Sequence, residues 1–169
     1  TLFRSILHDA DADHRLRLLR SFGHIGDEHF SLGMNAKMSE VHAAMGMAVL
    51  PYMERIVEER RAIIARYDEQ LKDQFERPRP TAEVGYNYSY YPLLARNAAQ
   101  RVRMERALME QGINPRRYFY PSLDELPYVN GAVCPHSRSA SERVLCLPLY
   151  NGLALEQVDC IVGVVRSVT

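Results

Sequence analysis

The chain has 169 residues, 47% of them hydrophobic, which is enough to bury one sizeable core with room for a smaller satellite. Its 21 basic and 21 acidic residues cancel, removing the bulk attraction expected of a nucleic-acid or anionic-membrane binder. No apolar run reaches the roughly 18 residues of a membrane span, and Cys134, Cys146 and Cys160, with no CxxC spacing, read as reduced thiols of a cytoplasmic protein.

Taken in chain order, Thr1 to Leu7 reads as a short strand, and a chain opening directly on the apolar "TLFRSIL" reads as a piece of something longer. "DADADHRLRLLRSFG" follows as a helix, with aspartates in the first turn, arginines in later turns and Gly23 to close it. "HIGDEHFSLGMN" is a polar, glycine-punctuated loop of the kind that approaches ligands or partners. The next helix is expected to begin between Ala36 and Ser39 and run to Leu50, since Met38, Val41, Met45, Ala48 and Val49 fall at helical spacing. Pro51 ends or kinks it. "YMERIVEERRAIIARYDEQL" is amphipathic, with Ile56, Ile63, Tyr67 and Leu71 near one face. Its Glu and Arg residues fit a solvated face of i,i+4 ion pairs better than a nucleic-acid helix.

"ERPRPTAEVG" is a linker by composition. After it come a strand in "YNYSYYPLLA", a helix in "AAQRVRMERALMEQG" closed by Gly112, and an extended "INPRRYFY" ended by Pro121. The segment "PSLDELPYVNGAVCPHS" is a long loop, and "SASERVL" opens a short helix with a capping box from Ser139 to Glu142. "CLPLY" is a strand, Asn151-Gly152 a turn, and "ALEQVDCIVGVVRSV" a closing amphipathic helix. Strands alternating with helices from Tyr86 onward predict a small α/β layer domain.

Standard catalytic signatures are absent: there is no GxSxG elbow, GxGxxG or P-loop. His24, Glu28 and His29 match no helical zinc spacing, so no metal site is expected there. His42, inside a helix, reads as a core or interface histidine. Asp124 and Glu125 could be an acid/base pair, but solvated loop acids explain them better. The stretch "GMNAKMSEVHAAMG" is more suggestive. Gly33 permits an unusual turn, Asn35 offers an amide at the expected helix mouth, and Lys37 adds a positive charge beside free N–H groups that favour an anion. An N-capping Asn before a packed helix is the plainer alternative. Ala43, Ala44 and Gly46 would let another backbone come close.

"LGMNAKMSEVHAAMGMAVL" closely resembles the G-x-N-x-[RK]-M-[ST]-E/D-x-x-A-A-x-G segment of the nucleotide-sugar aminotransferases of the DegT/StrS type, pyridoxal-phosphate enzymes of the fold-type-I class. "DHRLRLLRSFG" resembles the family's helix just before the loop, and "EERRAIIARYDEQL", "GINPRRYFYPSLDELPY" and "SERVLCLPLYNGLALEQVDCIVGVVR" resemble its linking helix and the end of its small domain, so the likeness covers essentially the whole chain in order. "NAKMSE" and "RRYFYPSL" are most like members that aminate dTDP-4-keto-6-deoxy sugars.

The resemblance implies an α/β fold: a large-domain tail over residues 1–50, a linking helix over 51–77, and a small C-terminal domain over 78–169. It implies a homodimer in which Asn35 reaches the partner subunit's cofactor phosphate. Lys37, standing where many members have Arg, is a second cofactor-binding candidate. Tyr118 and Tyr120 are candidates to line a sugar pocket, while Pro121-Ser122-Leu123 replaces the family's Pro-Leu-His and leaves that histidine's role without a bearer. The substrates implied are a keto-deoxy nucleotide sugar and an amino donor such as glutamate. The family's Schiff-base lysine lies in an upstream segment that nothing here matches; the two lysines are Lys37 and Lys72. The chain alone is therefore expected to be inactive. Two other readings are a sugar dehydratase of the same family, with His in place of that lysine, and a short non-catalytic chain binding a partner through Met38 to Leu50.

Overall fold

The computed structural model describes residues 8–78, 81 and 83–168, so the strand expected over Thr1 to Leu7 lies outside the described residues. The chain divides into two compact units, 1–52 and 53–169.

In the first unit, helix α1 (Ala10–Leu19) starts where Asp9 accepts a hydrogen bond from the Ala12 amide at 2.7 Å. Arg17 meets Asp13 one turn earlier at 2.6 Å. The helix stops as Phe22 and Gly23 take positive φ values of 59° and 75°. The expected loop then folds into a small hairpin: β1 (His24–Ile25) pairs antiparallel with β2 (Glu28–His29) around Gly26-Asp27. The returning chain runs beside the end of α1, with the Met34 amide donating to the Leu19 carbonyl at 2.7 Å and the Ala36 amide to that of Arg20 at 3.0 Å. This crossing requires glycine. A Cβ on Gly33 would lie 2.2 Å from the Gly23 nitrogen, and one on Gly23 would lie 1.8 Å from the Ser31 oxygen.

Helix α2 (Glu40–Val49) follows, then a 3₁₀ turn over Leu50–Tyr52 that accommodates Pro51. The cap of α2 is Ser39, whose hydroxyl accepts from the His42 amide at 3.3 Å. Asn35 is therefore neither the N-cap nor at the helix mouth. The bridge between Ser21 and Asn35 keeps the backbone extended there, and the helix waits for the next residue with a capping hydroxyl. No residue of α2 is buried. Leu18 is the buried hydrophobic side chain of this unit among the described residues.

The second unit holds the core. Helix α3 (Met53–Leu71) buries Ile63, Ile64, Tyr67 and Leu71; Ile56 is half-buried. Strand β3 (Tyr91–Leu94) pairs antiparallel with β4 (Val144–Leu147), from Tyr91 opposite Leu147 to Leu94 opposite Val144. Single bridges add Glu76 outside β3 and Arg116 outside β4. One face of this layer carries Tyr91, Leu93, Leu145 and Leu147 into a cluster with α3, with α4 (Ala98–Glu110) and with α6 (Leu155–Ser167). Helix α4 begins with the Asn97 side chain accepting from the Gln100 amide at 2.9 Å, and Gly112, at φ 71°, follows its end. The arrangement is mixed α/β, with an antiparallel sheet.

Two sequence expectations need correction in this unit. Helix α5 spans Pro135–Arg143, so Ser139 lies within it and caps nothing. The start signal is the proline at the first helical position, where its fixed φ suits a helix and its missing N–H costs nothing. The compositional linker is also anchored at its beginning. The Glu76 carbonyl accepts from the Leu94 amide at 2.8 Å, and Arg77 pairs with Asp68 at 2.7 Å.

Side chains far apart in sequence hold α3 to the rest. Arg66 binds both carboxylate oxygens of Asp159 on α6 at 2.8 and 2.9 Å. Asn151, in the turn before α6, donates to the Ile56 carbonyl at 3.1 Å and accepts from Arg60 at 3.0 Å. The Tyr67 hydroxyl donates to the Pro148 carbonyl at 3.0 Å.

Candidate functional site

Asn35 and Lys37 both lie exposed on the extended segment that leads into α2. The main chain around them is fixed by the bonds to Leu19 and Arg20, but the Asn35 side chain has no hydrogen-bond partner among the described residues. The Lys37 amine sits 5.8 Å from the centre of the Phe22 ring. An amide and an ammonium two residues apart in sequence are both donors of the kind that bind phosphate. A phosphate dianion offers more acceptor positions than two donors fill, so any such group would need further residues beside these two.

The remaining candidates lie in the second unit. Tyr118 is half-buried, edge-on to Tyr90 at 5.2 Å between ring centres, with the Arg116 guanidinium 5.9 Å from its ring. It lines two clefts. One, of about 360 Å³, is bordered by Pro92, Leu94, Phe119 and Leu123. The other, of about 710 Å³, lies between the end of α4, the Arg116 segment, the chain after β4 and the start of α6. Tyr120 borders neither; it is exposed, with the Arg117 guanidinium stacked 3.5 Å from its ring centre.

Asp124 is neither a free catalytic acid nor a solvated loop residue. It accepts from the Ser122 hydroxyl at 2.5 Å, the Cys134 amide at 2.8 Å and Arg138 at 2.7 Å. Those bonds, that of Ser122 foremost, hold its carboxyl down at about 2. Its work is to close the long loop onto α5. Glu125 reaches back to the Ser122 amide at 3.2 Å.

His24 and His29 face each other across the hairpin with rings 5.5 Å apart, and His24 Nδ1 contacts the Gly26 carbonyl at 2.8 Å. Among the described residues no group of three His, Cys, Asp or Glu side chains could hold a metal ion. His42 is exposed and bonds the Ser39 hydroxyl at 2.7 Å. Cys134, Cys146 and Cys160 are all free, and burial raises the thiol pKa of Cys146. No helix among the described residues is long and apolar enough to cross a membrane.

Sequence reasoning missed Arg116 as a site residue. In an extended segment, residues two apart share a face, so choosing Tyr118 already pointed to Arg116. Tyr90, Asn114 and Gln157 reach the larger cleft through folding, and no local signal marks them.

The sequence model of the DegT/DnrJ/EryC1/StrS aminotransferase family matches residues 6–166. The chain is 30% identical over 172 residues to a dTDP-4-amino-4,6-dideoxy-D-glucose transaminase of Shigella dysenteriae, covering 96% of the chain and 47% of the relative. It is 33% identical over 165 residues to a transaminase of the same name from Escherichia coli, covering 89% and 43%. The crystal structure of the aminotransferase TlmJ from Streptoalloteichus hindustanus matches at a TM-score of 0.83 and 28% identity, over 96% of this chain and 46% of that one. The chain thus spans about half the length of the relatives it matches.

Proposed function

The chain belongs to the DegT/DnrJ/EryC1/StrS aminotransferase family, and from that premise we propose that it forms the C-terminal portion of a pyridoxal-phosphate-dependent enzyme that aminates a keto-deoxy nucleotide sugar. The observation that carries this reading is the match over residues 6–166 at about half the relatives' length. The names of two relatives, dTDP-4-amino-4,6-dideoxy-D-glucose transaminases, support a dTDP-linked sugar as substrate. Glutamate is the amino donor in this reading, and three free cysteines suit a cytoplasmic setting.

When bound, pyridoxal phosphate supplies the electron sink through which an amino group moves from donor to keto sugar. The chain's own part is to hold and to enclose. The Asn35 amide donates to a phosphate oxygen and Lys37 adds charge beside it, in a site completed by a partner subunit. Tyr118 borders the sugar. Lys37 and Lys72 are both exposed to solvent, not enclosed as a lysine that forms a Schiff base with the cofactor must be. The isolated chain is therefore without transaminase activity.

Helix α2 and the turn after it support the dimer, since Val41, Met45 and Met47 on the helix and Leu50 in the turn are all more than 60% exposed. An apolar surface so continuous marks a protein contact. The test compares this chain with a protein extended by its own preceding codons, each given pyridoxal phosphate, glutamate and a dTDP-4-keto-6-deoxy sugar. Mass spectrometry should find amino sugar, and a borohydride-reducible lysine adduct, with the longer protein alone. Turnover by the 169-residue chain would overturn the fragment reading, and no amino sugar from either would overturn the transaminase reading.

A further inference from the structure

The hairpin between α1 and the Asn35 segment carries two histidines for which the transaminase reading has no use. His24 and His29 stand directly opposite each other on β1 and β2. They are a pair of the kind that exchanges no backbone bonds. The His24 amide donates to the Ser21 carbonyl at 3.4 Å, and the next pair outward is joined instead, the Phe30 amide to the Gly23 carbonyl at 2.8 Å. Side chains approach most closely at such a pair and share one face of the ribbon. The two rings are 5.5 Å apart between centres.

One ring is already oriented as a ligand. His24 Nδ1 contacts the Gly26 carbonyl at 2.8 Å, and a carbonyl oxygen only accepts, so Nδ1 carries the proton. The neutral ring then has its lone pair on Nε2. A carbonyl behind the far ring nitrogen is how metal-ligating histidines are held in tautomer and direction. Phe22 stacks on the same ring at 6.1 Å between centres. The His29 ring has no hydrogen-bond partner among the described residues, so either of its nitrogens is open.

An imidazole nitrogen binds a metal at about 2.0–2.1 Å, which puts the ion roughly 3 Å from each ring centre. Two rings on one ion therefore stand at most about 6 Å apart, and the observed 5.5 Å lies within that reach. Alternation along the strands turns Ile25 and Glu28 to the other face. No third His, Cys, Asp or Glu side chain joins the pair among the described residues. That rules out a closed zinc centre of four protein ligands, but not an exposed chelate whose other positions are taken by water.

We propose that His24 and His29 together chelate a late first-row divalent cation, Cu²⁺ more tightly than Ni²⁺ or Zn²⁺. The spacing that joins them belongs to a hairpin register, not to a helix, and it has no meaning until Gly26-Asp27 makes the turn.

The 169-residue chain, its exposed thiols alkylated so that neither competes, is titrated with each ion by calorimetry at neutral pH. Electron paramagnetic resonance of the Cu²⁺ form, with less than one ion per chain, should show two imidazole nitrogens. His24→Asn and His29→Asn should each weaken binding about tenfold or more, since loss of even an outer partner of a ligating histidine costs that much. His136→Asn, on α5 in the second unit, should change neither affinity nor spectrum. Adding Glu28→His to His29→Asn restores the number of imidazoles but puts the new one on the opposite face, so affinity should stay low. An unchanged far-ultraviolet circular dichroism spectrum checks that the variants remain folded. Binding that survives either single substitution, one nitrogen in the parent spectrum, or affinity recovered by Glu28→His would each overturn the proposal. The chelate needs neither cofactor nor sugar, so failure of the transaminase reading would show as absent turnover in the longer protein, with these results intact.

Discussion

Helix α6 sends Val158, Ile161, Val162 and Val165 into the core, whereas α2, richer in apolar side chains, buries none of its residues. The difference is in spacing. The buried residues of α6 recur at i, i+3, i+4 and i+7 and make one stripe, with Glu156, Asp159 and Arg166 elsewhere on the helix. Val41, Ala43, Ala44, Met45, Met47, Ala48 and Val49 surround α2 on almost every side. A helix apolar all round is composed for burial all round. The first unit has Leu18 as its buried hydrophobic side chain among the described residues, while the second closes a core from three helices and a sheet. Sequence composition alone ranks the two regions the wrong way round.

Paired substitutions would break that contrast if it is wrong. Leu108, fully buried on α4, should cost about 2–5 kcal/mol on replacement by Ala, from lost burial and the cavity left behind. Met47, 75% exposed, should cost within about 0.5 kcal/mol when replaced by Ala in dilute, monomeric chain. Urea unfolding followed by circular dichroism measures both, and equal costs would mean that α2 is packed in solution. Two glycines sharpen the same comparison. Gly33→Ala forces a methyl against the Gly23 backbone and should destabilise by about 1–3 kcal/mol, with faster amide exchange at Met34 and Ala36. Gly46→Ala on α2 meets open space and should stabilise by about 0.5–1 kcal/mol. A Gly46→Ala chain that is also less associated on light scattering would mean that a second backbone comes close there.

Much of the fold was legible because its signals are local. Asp9 with Asp11 and Asp13, Pro51, Gly112 and the stripe of α6 each announce a start, a stop or a face within a few residues. The misreadings arose where two local signals competed. Asn35 and Ser39 can both cap a helix, and the bridge to Ser21, fourteen residues earlier, decides for Ser39. Ser139 followed by Glu142 spells a capping box, but Pro135 had already begun the helix. The bonds of Arg66 with Asp159 and Asn151 with Ile56 could not be read at all, since each joins residues more than ninety apart. The site divides in the same way. Tyr118 came from a local aromatic run, whereas the cleft it borders is assembled from four separate segments.

The smallest expected effect concerns how each unit closes its loop. Residues 22–36 are tied by main-chain bonds, which carry no titrating group. The loop after Pro121 is tied through Asp124, whose carboxylate takes the Ser122 hydroxyl, the Cys134 amide and Arg138. Because the carboxyl is held down at about 2 against about 3.9 for a free aspartate, its contribution is complete above pH 4. It fades as pH falls from there toward 2, since the unfolded chain takes up the proton first. The Cys134 amide donates directly to this carboxylate at 2.8 Å and should report the change. Its ¹H–¹⁵N resonance should titrate with a midpoint near 2, while the Met34 amide, bonded to the Leu19 carbonyl, stays level. Asp124→Asn should flatten the Cys134 curve. A midpoint near that of a free aspartate would mean that the carboxylate is hydrated and that other contacts close the loop.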